Sequence, residues 1–180
     1  MHGGYVERRG GNEDYRFGAI LEALAAKGFV VIGEERDPTS IGDYARRIAD
    51  QVRYLLGAGV PVENITIGGH SKGGFIALVA ATRIVKPDIK YAIMSACGLE
   101  GTRFRRPYSE FIRKNASKLK GHFLVAWAAD DNVANDCDQA LDKGGVPYEN
   151  KVLPAGQGHK LFYAPAPVWI DLLAAFASGK

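Results

Sequence analysis

Gly69-His70-Ser71-Lys72-Gly73-Gly74 follows a short apolar run at residues 65–67 and leads into an apolar segment at residues 73–86. This order predicts a buried strand, a tight turn and a buried helix. Glycines two residues before and two after Ser71 allow a turn in which larger side chains would clash. Ser71 would then project at the carboxyl end of a strand, the edge where open α/β sheets bind ligands. Ser71 is therefore a candidate nucleophile, and the alternative is a passive serine in a glycine-rich turn.

Strand-like and helix-like segments alternate along the rest of the chain. This alternation predicts a three-layer α/β/α sandwich, in which helices cover both faces of a mainly parallel sheet. A length of 180 residues suits one hydrophobic core, and no linker divides residues 1–180 into two domains. Strands are predicted at residues 29–32, 65–67, 91–96, 123–127 and 148–153, and helices at residues 14–27, 73–86, 107–120, 135–143 and 167–177, with one more capped by Ser40.

Composition excludes several classes of protein. The formal charge of +3 does not indicate a nucleic-acid partner, and no apolar run is long enough to predict a membrane span.

Cys97 and Cys137 are far apart and lack metal-ligand spacing, so we expect reduced thiols. No metal or nucleotide motif is present, so no cofactor is predicted. Because Met1 leads directly into His2 without a visible signal peptide, a cytoplasmic location is expected.

A serine nucleophile needs a histidine base and a carboxylate that orients the base. The chain supplies them in the order Ser, Asp, His. Asp130 and Asp131 follow the predicted strand at residues 123–127, and His159 follows the last predicted strand. These loops lie at the same edge of the sheet as Ser71, so the three groups can meet. Only one of the two adjacent aspartates can face His159.

The other three histidines are weaker candidates for the base. His122 opens a predicted strand and so lies at the opposite edge of the sheet. His70 lies inside the turn, where its side chain is expected to point away from the substrate. His2 belongs to a separate glycine-containing motif.

Together these segments resemble the α/β-hydrolase superfamily over nearly the whole chain. The resemblance rests on four segments, namely His2-Gly3-Gly4, residues 69–74, residues 129–133 and Gly158-His159. It implies that Ser71 is the nucleophile and His159 the general base. In many members a valine lies three positions after the acid. Val133 gives this spacing to Asp130, so Asp130 is favoured and Asp131 is the alternative.

His2-Gly3-Gly4 is similar to the start of the oxyanion loop of that family. The resemblance implies that the N–H groups of Lys72 and of Gly4 or Tyr5 bind the oxyanion. The alternative is that these are terminal or tag residues. The central strand that precedes this loop in the family, and two edge strands before it, are missing from the sequence. An N-terminally truncated or minimal fold is expected: a fragment or a misassigned start is favoured over direct pairing of residues 29–32 with residues 65–67.

Residues 98–121 occupy the place where the family inserts lid elements, and they form a short candidate lid segment. Its basic residues are interpreted as a solvated helix face, with a basic rim for anionic substrates as the alternative. Phe104 is a candidate for an acyl pocket, whereas Tyr108 and Phe111 have the spacing of core residues. The basic residues are Arg103, Arg105, Arg106, Arg113, Lys114, Lys118 and Lys120.

The resemblance implies a carboxylic ester hydrolase that acts on a small-molecule ester through an acyl-enzyme. A peptidase or thioesterase is a second interpretation, because Asp130-Asp131-Asn132-Val133 and the turn at Ser71 are also similar to the prolyl oligopeptidase group. A third is an inactive relative that only binds a ligand or partner, since the sheet is incomplete.

Overall fold

A parallel sheet forms the centre of the computed structural model, which describes residues 14–34 and 39–180. Four strands, β1, β2, β4 and β6, lie side by side in that order, and β3 and β5 form a separate antiparallel pair. The strands are β1 (Thr66–His70), β2 (Lys90–Met94), β3 (Cys97–Gly98), β4 (His122–Ala128), β5 (Ala134–Asn135) and β6 (Tyr148–Leu153).

Six helices of the described residues cover both faces of this sheet. Because side chains alternate along a strand, Tyr91 and Ile93 of β2 join one core cluster while Ala92 and Met94 join the other. Helices α2 to α5 contribute to the first cluster, and α1 and α6 to the second. The three-layer α/β/α prediction is confirmed. The helices are α1 (Phe17–Ala25), α2 (Ile41–Gly57), α3 (Lys72–Ala81), α4 (Arg105–Lys114), α5 (Asp138–Gly144) and α6 (Pro167–Ser178).

Several helix boundaries agree with the sequence pattern, and two do not. Ser40 caps α2 as predicted, and its side chain accepts a hydrogen bond from the Asp43 N–H at 3.1 Å. Helix α3 stops at Ala81, where the Thr82 hydroxyl donates to the Val79 carbonyl at 2.7 Å. Helix α4 also ends early and is followed by a 3-10 turn. Apolar periodicity alone does not detect such local competition for backbone groups.

The predicted strand at residues 29–32 is wrong. This segment is in no strand of the structure, and its Val30 side chain is 95% exposed. A strand needs a neighbour that pairs with its N–H and C=O groups. In the described part of the chain, β1 is one of the two edge strands and pairs only with β2. An apolar run that lacks a ladder partner therefore stays irregular, and direct pairing of residues 29–32 with β1 does not occur.

The expectation of reduced thiols is also wrong, because Cys97 and Cys137 form a disulfide. Strands β3 and β5 pair antiparallel, with Cys97 opposite Asn135. This register brings the Cα atoms of the two cysteines to 5.4 Å, within the range that a disulfide requires. The pairing of two distant two-residue strands thus decides the state of the thiols.

Candidate active site

The carboxyl ends of the four parallel strands carry the residues of the candidate site. Strand β1 leads into Ser71, β2 into Ser95 and β4 into Asp130-Asp131, while His159 follows β6. The parallel registers of β1 with β2, β2 with β4 and β4 with β6 bring these ends to one edge of the sheet. Topology therefore gathers side chains that are far apart in sequence.

Ser71 occupies the sharp turn between β1 and α3. Its φ of 53° and ψ of −120° lie in a region that non-glycine residues rarely adopt. Its N–H donates to the Met94 carbonyl at 2.8 Å, and its carbonyl accepts from the Phe75 N–H at 3.0 Å. A Cβ on Gly69 would lie 2.5 Å from the carbonyl oxygen of Gly73, so the turn needs glycine there. The predicted strand-turn-helix around Ser71 is present.

Gly69→Ala is expected to lower the free energy of unfolding by about 3 kcal/mol, because the added methyl group meets backbone that cannot move aside. Gly68→Ala is the matched control. A Cβ there would lie 3.9 Å from Ala92, an ordinary contact, so stability should change by less than about 1 kcal/mol. Chemical denaturation of both variants measures the difference. Equal stability of the two would contradict the close approach seen at the turn.

His159 joins Ser71 to an aspartate. It lies in the 3-10 helix Gly158–Tyr163, after β6. Its Nε2 is 2.9 Å from the Ser71 Oγ, and its Nδ1 is 2.9 Å from Oδ2 of Asp131. Hydroxyl, imidazole and carboxylate thus form one hydrogen-bonded chain. Such a chain can move the hydroxyl proton to the imidazole while the carboxylate stabilises the resulting charge.

The aspartate that is hydrogen-bonded to His159 is Asp131, although the valine spacing favours Asp130. After β4 the backbone turns so that the Asp131 N–H donates to the Ala128 carbonyl at 3.0 Å. The Asp131 side chain is fully buried against His159. Asp130 faces solvent on the other side of the same turn. Adjacent residues point in different directions here, and the spacing to Val133 does not reveal which one faces inward.

Asp130 contacts the loop that carries His159. Its Oδ2 accepts from the Gly156 N–H at 2.8 Å, and its Oδ1 accepts from the Gly158 N–H at 3.1 Å. Both glycines have positive φ, which lets their N–H groups converge on one carboxylate. Asp130 therefore ties the loop after β4 to the loop after β6.

Opposing effects act on the Asp131 carboxyl. Burial raises its pKa, but hydrogen bonds from His159 and from the backbone N–H groups of Val133 and Ala134, together with the influence of the Ser95 hydroxyl, lower it. The net result holds the pKa of Asp131 below its ordinary value, which keeps the group ionised at neutral pH. An ionised carboxylate is the form that can accept a hydrogen bond from the Nδ1–H of His159.

His70 belongs to the surroundings of the site. Its position inside the turn predicts a side chain that points away from the substrate, but its buried ring lies with its centroid 4.7 Å from that of His159. It also stacks on Phe162 at 5.3 Å, and Tyr163 lies edge-on at 5.6 Å. These rings restrict how the imidazole of His159 can rotate. His122 is the first residue of β4, at the opposite edge of the sheet.

One of the predicted oxyanion donors lies within the described residues. Lys72 is the first residue of α3. N–H groups in a first helical turn have no partner within their helix and favour negative charge nearby. Gly4 and Tyr5, with the rest of His2-Gly3-Gly4, lie outside the described residues, so the second donor stays a prediction.

The candidate lid segment begins at the last residue of β3 and contains α4. Tyr108 and Phe111 of α4 are buried, and Phe111 packs edge-on against Phe75 at 5.6 Å, as their spacing predicts for core residues. Phe104 is partly exposed. Arg105 pairs with Glu100 at 2.7 Å. The other basic residues of the segment are exposed, in agreement with a solvated face: Arg103, Arg106, Arg113, Lys114, Lys118 and Lys120.

Within residues 14–34 and 39–180, no helix has both the length and the apolar character needed to span a membrane. No group of three or more His, Cys, Asp or Glu side chains is placed to hold a metal ion there.

Comparison with known proteins identifies the fold. No protein-family model matches the chain, and no curated protein matches it. Arabidopsis thaliana SOBER1 superposes with a TM-score of 0.58 and 19% identity, over 83% of this chain and 68% of that one. A sugar hydrolase (YeeB) from Lactococcus lactis gives 0.58 and 14%, over 94% and 86%. A puromycin-hydrolyzing peptidase from Mycobacterium tuberculosis gives 0.57 and 20%, over 76% and 25%. This chain has an α/β-hydrolase-like fold.

Within this α/β-hydrolase-like fold, one residue of the site is missed by sequence reasoning. Ser95 directly follows β2, as Ser71 directly follows β1, and it is fully buried. Its position after a strand, at the edge where the other site residues lie, is the signal that could have identified it. No glycine pattern surrounds Ser95, so the sequence lacks the motif that draws attention to Ser71.

Proposed function

We propose that this protein is a serine hydrolase that cleaves carboxylic esters through an acyl-enzyme. The observation that carries the proposal is the chain of two 2.9 Å hydrogen bonds from Ser71 through His159 to Asp131. The strained turn at Ser71 adds support, because such backbone conformations cluster at active sites. Two proteins of similar fold are named as a sugar hydrolase and a peptidase.

In the proposed reaction, the Ser71 Oγ attacks the ester carbonyl as its proton passes to Nε2 of His159. Asp131 accepts the Nδ1 proton in a hydrogen bond and stabilises the imidazolium. The N–H of Lys72 donates to the oxyanion of the tetrahedral intermediate. When the intermediate collapses, the alcohol leaves with the proton from His159. A water molecule then attacks the acyl-enzyme, with His159 again accepting a proton, and this releases the acid and restores Ser71.

A fluorophosphonate probe tests this proposal, because it forms a covalent bond with an activated serine. We expect labelling of Ser71, located by mass spectrometry of the modified peptide. Labelling should be abolished in Ser71→Ala and strongly reduced in His159→Ala. Ser117→Ala and His122→Ala are matched controls, since both residues are exposed and His122 lies at the other edge of the sheet.

Folded protein that takes up no label would contradict the proposal and favour a relative that only binds a ligand. Label that persists in Ser71→Ala would place the nucleophile elsewhere. For labelled protein, hydrolysis rates of matched acyl esters, thioesters and amides separate an esterase from a thioesterase or a peptidase. We expect the ester to be hydrolysed fastest.

A further inference from the structure

Ser95 has an unusual backbone conformation for its residue type. Among the described residues other than glycine, Ser71 and Ser95 have positive φ, and that of Ser95 is 46°. Its N–H donates to the Ala126 carbonyl at 2.9 Å, and its side chain is fully buried. Glycine would adopt this conformation without strain. A serine that keeps a strained conformation in a buried position suggests a use for its hydroxyl.

The Asp131 carboxylate has room for one more hydrogen-bond donor, and Ser95 is bound through its N–H to β4, the strand that leads to Asp131. Oδ1 of Asp131 accepts from the N–H groups of Val133 at 2.8 Å and Ala134 at 3.1 Å, and Oδ2 faces His159. An ionised carboxylate can accept about four hydrogen bonds, so one position is left after these three. Ser95 lowers the pKa of Asp131, although its Oγ makes no hydrogen bond of standard geometry within the described residues. The buried Ser95 hydroxyl, which makes no other hydrogen bond among the described residues, is the candidate donor for this fourth position.

We propose that Ser95 is a positioning residue whose Oγ–H donates to Asp131 and holds this carboxylate in line with Nδ1 of His159. The inference rests on the proposed function, since the alignment matters only if His159 acts as a base. Ser95 acts through Asp131 and does not contact the substrate. Its effect should therefore be on the rate at which Ser71 reacts.

Two variants remove the hydroxyl with opposite effects on the backbone. Ser95→Gly also relieves the positive φ, whereas Ser95→Ala keeps the strain. We expect both to label with fluorophosphonate about 10- to 100-fold more slowly than the wild type, the range for losing a hydrogen bond to a charged group. Thermal unfolding checks that each variant is folded. The labelling rate is measured from about pH 5 to 9, the range in which histidine titrates.

The acidic limb of this pH profile should also move to higher pH. Without the donor, the pKa of Asp131 rises and its charge is less compensated, which favours the protonated imidazole of His159. Since the base must be neutral to accept a proton, more alkaline conditions are then needed. Titratable groups close to this pair include His70, which packs on His159, Tyr163, which packs on His70, and Asp130, which binds the neighbouring loop. All three are unchanged in the two variants.

The outcomes separate the two proposals. Wild-type rates and an unshifted limb in both variants would overturn the role of Ser95 and leave the serine hydrolase standing. A slow Ser95→Ala beside a wild-type Ser95→Gly would also overturn it, because only backbone strain would then matter. Wild-type protein without any label would overturn the proposed function, and this inference with it.

Discussion

Asp131→Asn is expected to lower kcat/KM for an ester substrate about 10⁴-fold. This is the loss expected when the residue that orients the base can no longer accept a hydrogen bond from its Nδ1–H. The amide can place an N–H where Oδ2 accepts from His159 Nδ1 at 2.9 Å. It then disfavours the tautomer whose Nε2 is free to take the Ser71 proton. Initial hydrolysis rates of the purified variant measure the effect.

Asp130→Asn is the matched control, since it makes the same change one residue away. An amide oxygen can still accept from the N–H of Gly156 or Gly158, so we expect a loss of about 10-fold or less. The comparison decides between adjacent aspartates. A larger loss in Asp130→Asn would reverse the assignment and restore the residue that the valine spacing favours.

Loss of the disulfide between Cys97 and Cys137 is expected to lower the free energy of unfolding by about 4 kcal/mol. The bond joins residues 40 apart, so it removes much of the conformational freedom of the unfolded chain. A change of this size lowers the Tm of a chain of 180 residues by about 10 °C. Calorimetry with and without a thiol reductant measures the shift.

The Cys97→Ala/Cys137→Ala double variant is the control for this experiment, because reductant should not change its Tm. Thiol titration provides an independent check, since these are the two cysteines of the sequence. Denatured, unreduced protein should show none free; two free thiols would refute the bond. Because disulfides are rare in a reducing cytosol, the same titration on protein from its native compartment also tests the cytoplasmic expectation.

The fold class and the position of Ser71 could be predicted because they depend on local patterns. Alternating strand and helix periods predict the α/β/α layers, and the glycines around Ser71 specify a turn that other residues cannot form. The role of His159 could also be predicted from the sequence, since loops after parallel strands share one edge of the sheet.

Neighbouring residues along the chain do not determine whether Asp130 or Asp131 faces His159. One hydrogen bond from the Asp131 N–H to Ala128 sets the turn that makes this choice, and both residues satisfy the same local pattern. The conformation of residues 29–32 likewise depends on contacts outside the segment. Their apolar character suits a strand, but a strand forms only where a partner offers its backbone groups.

By itself, the sequence determined the layered architecture, the sharp turn at Ser71 and the order in which nucleophile, acid and base appear. These follow from periodicity and from the steric freedom of glycine, which act over short stretches of chain. Only the tertiary structure decided that Asp131 meets His159, that Cys97 joins Cys137, and that Ser95 is buried at the same edge of the sheet. Each depends on segments tens of residues apart, whose contacts are set by the register of the strands that carry them.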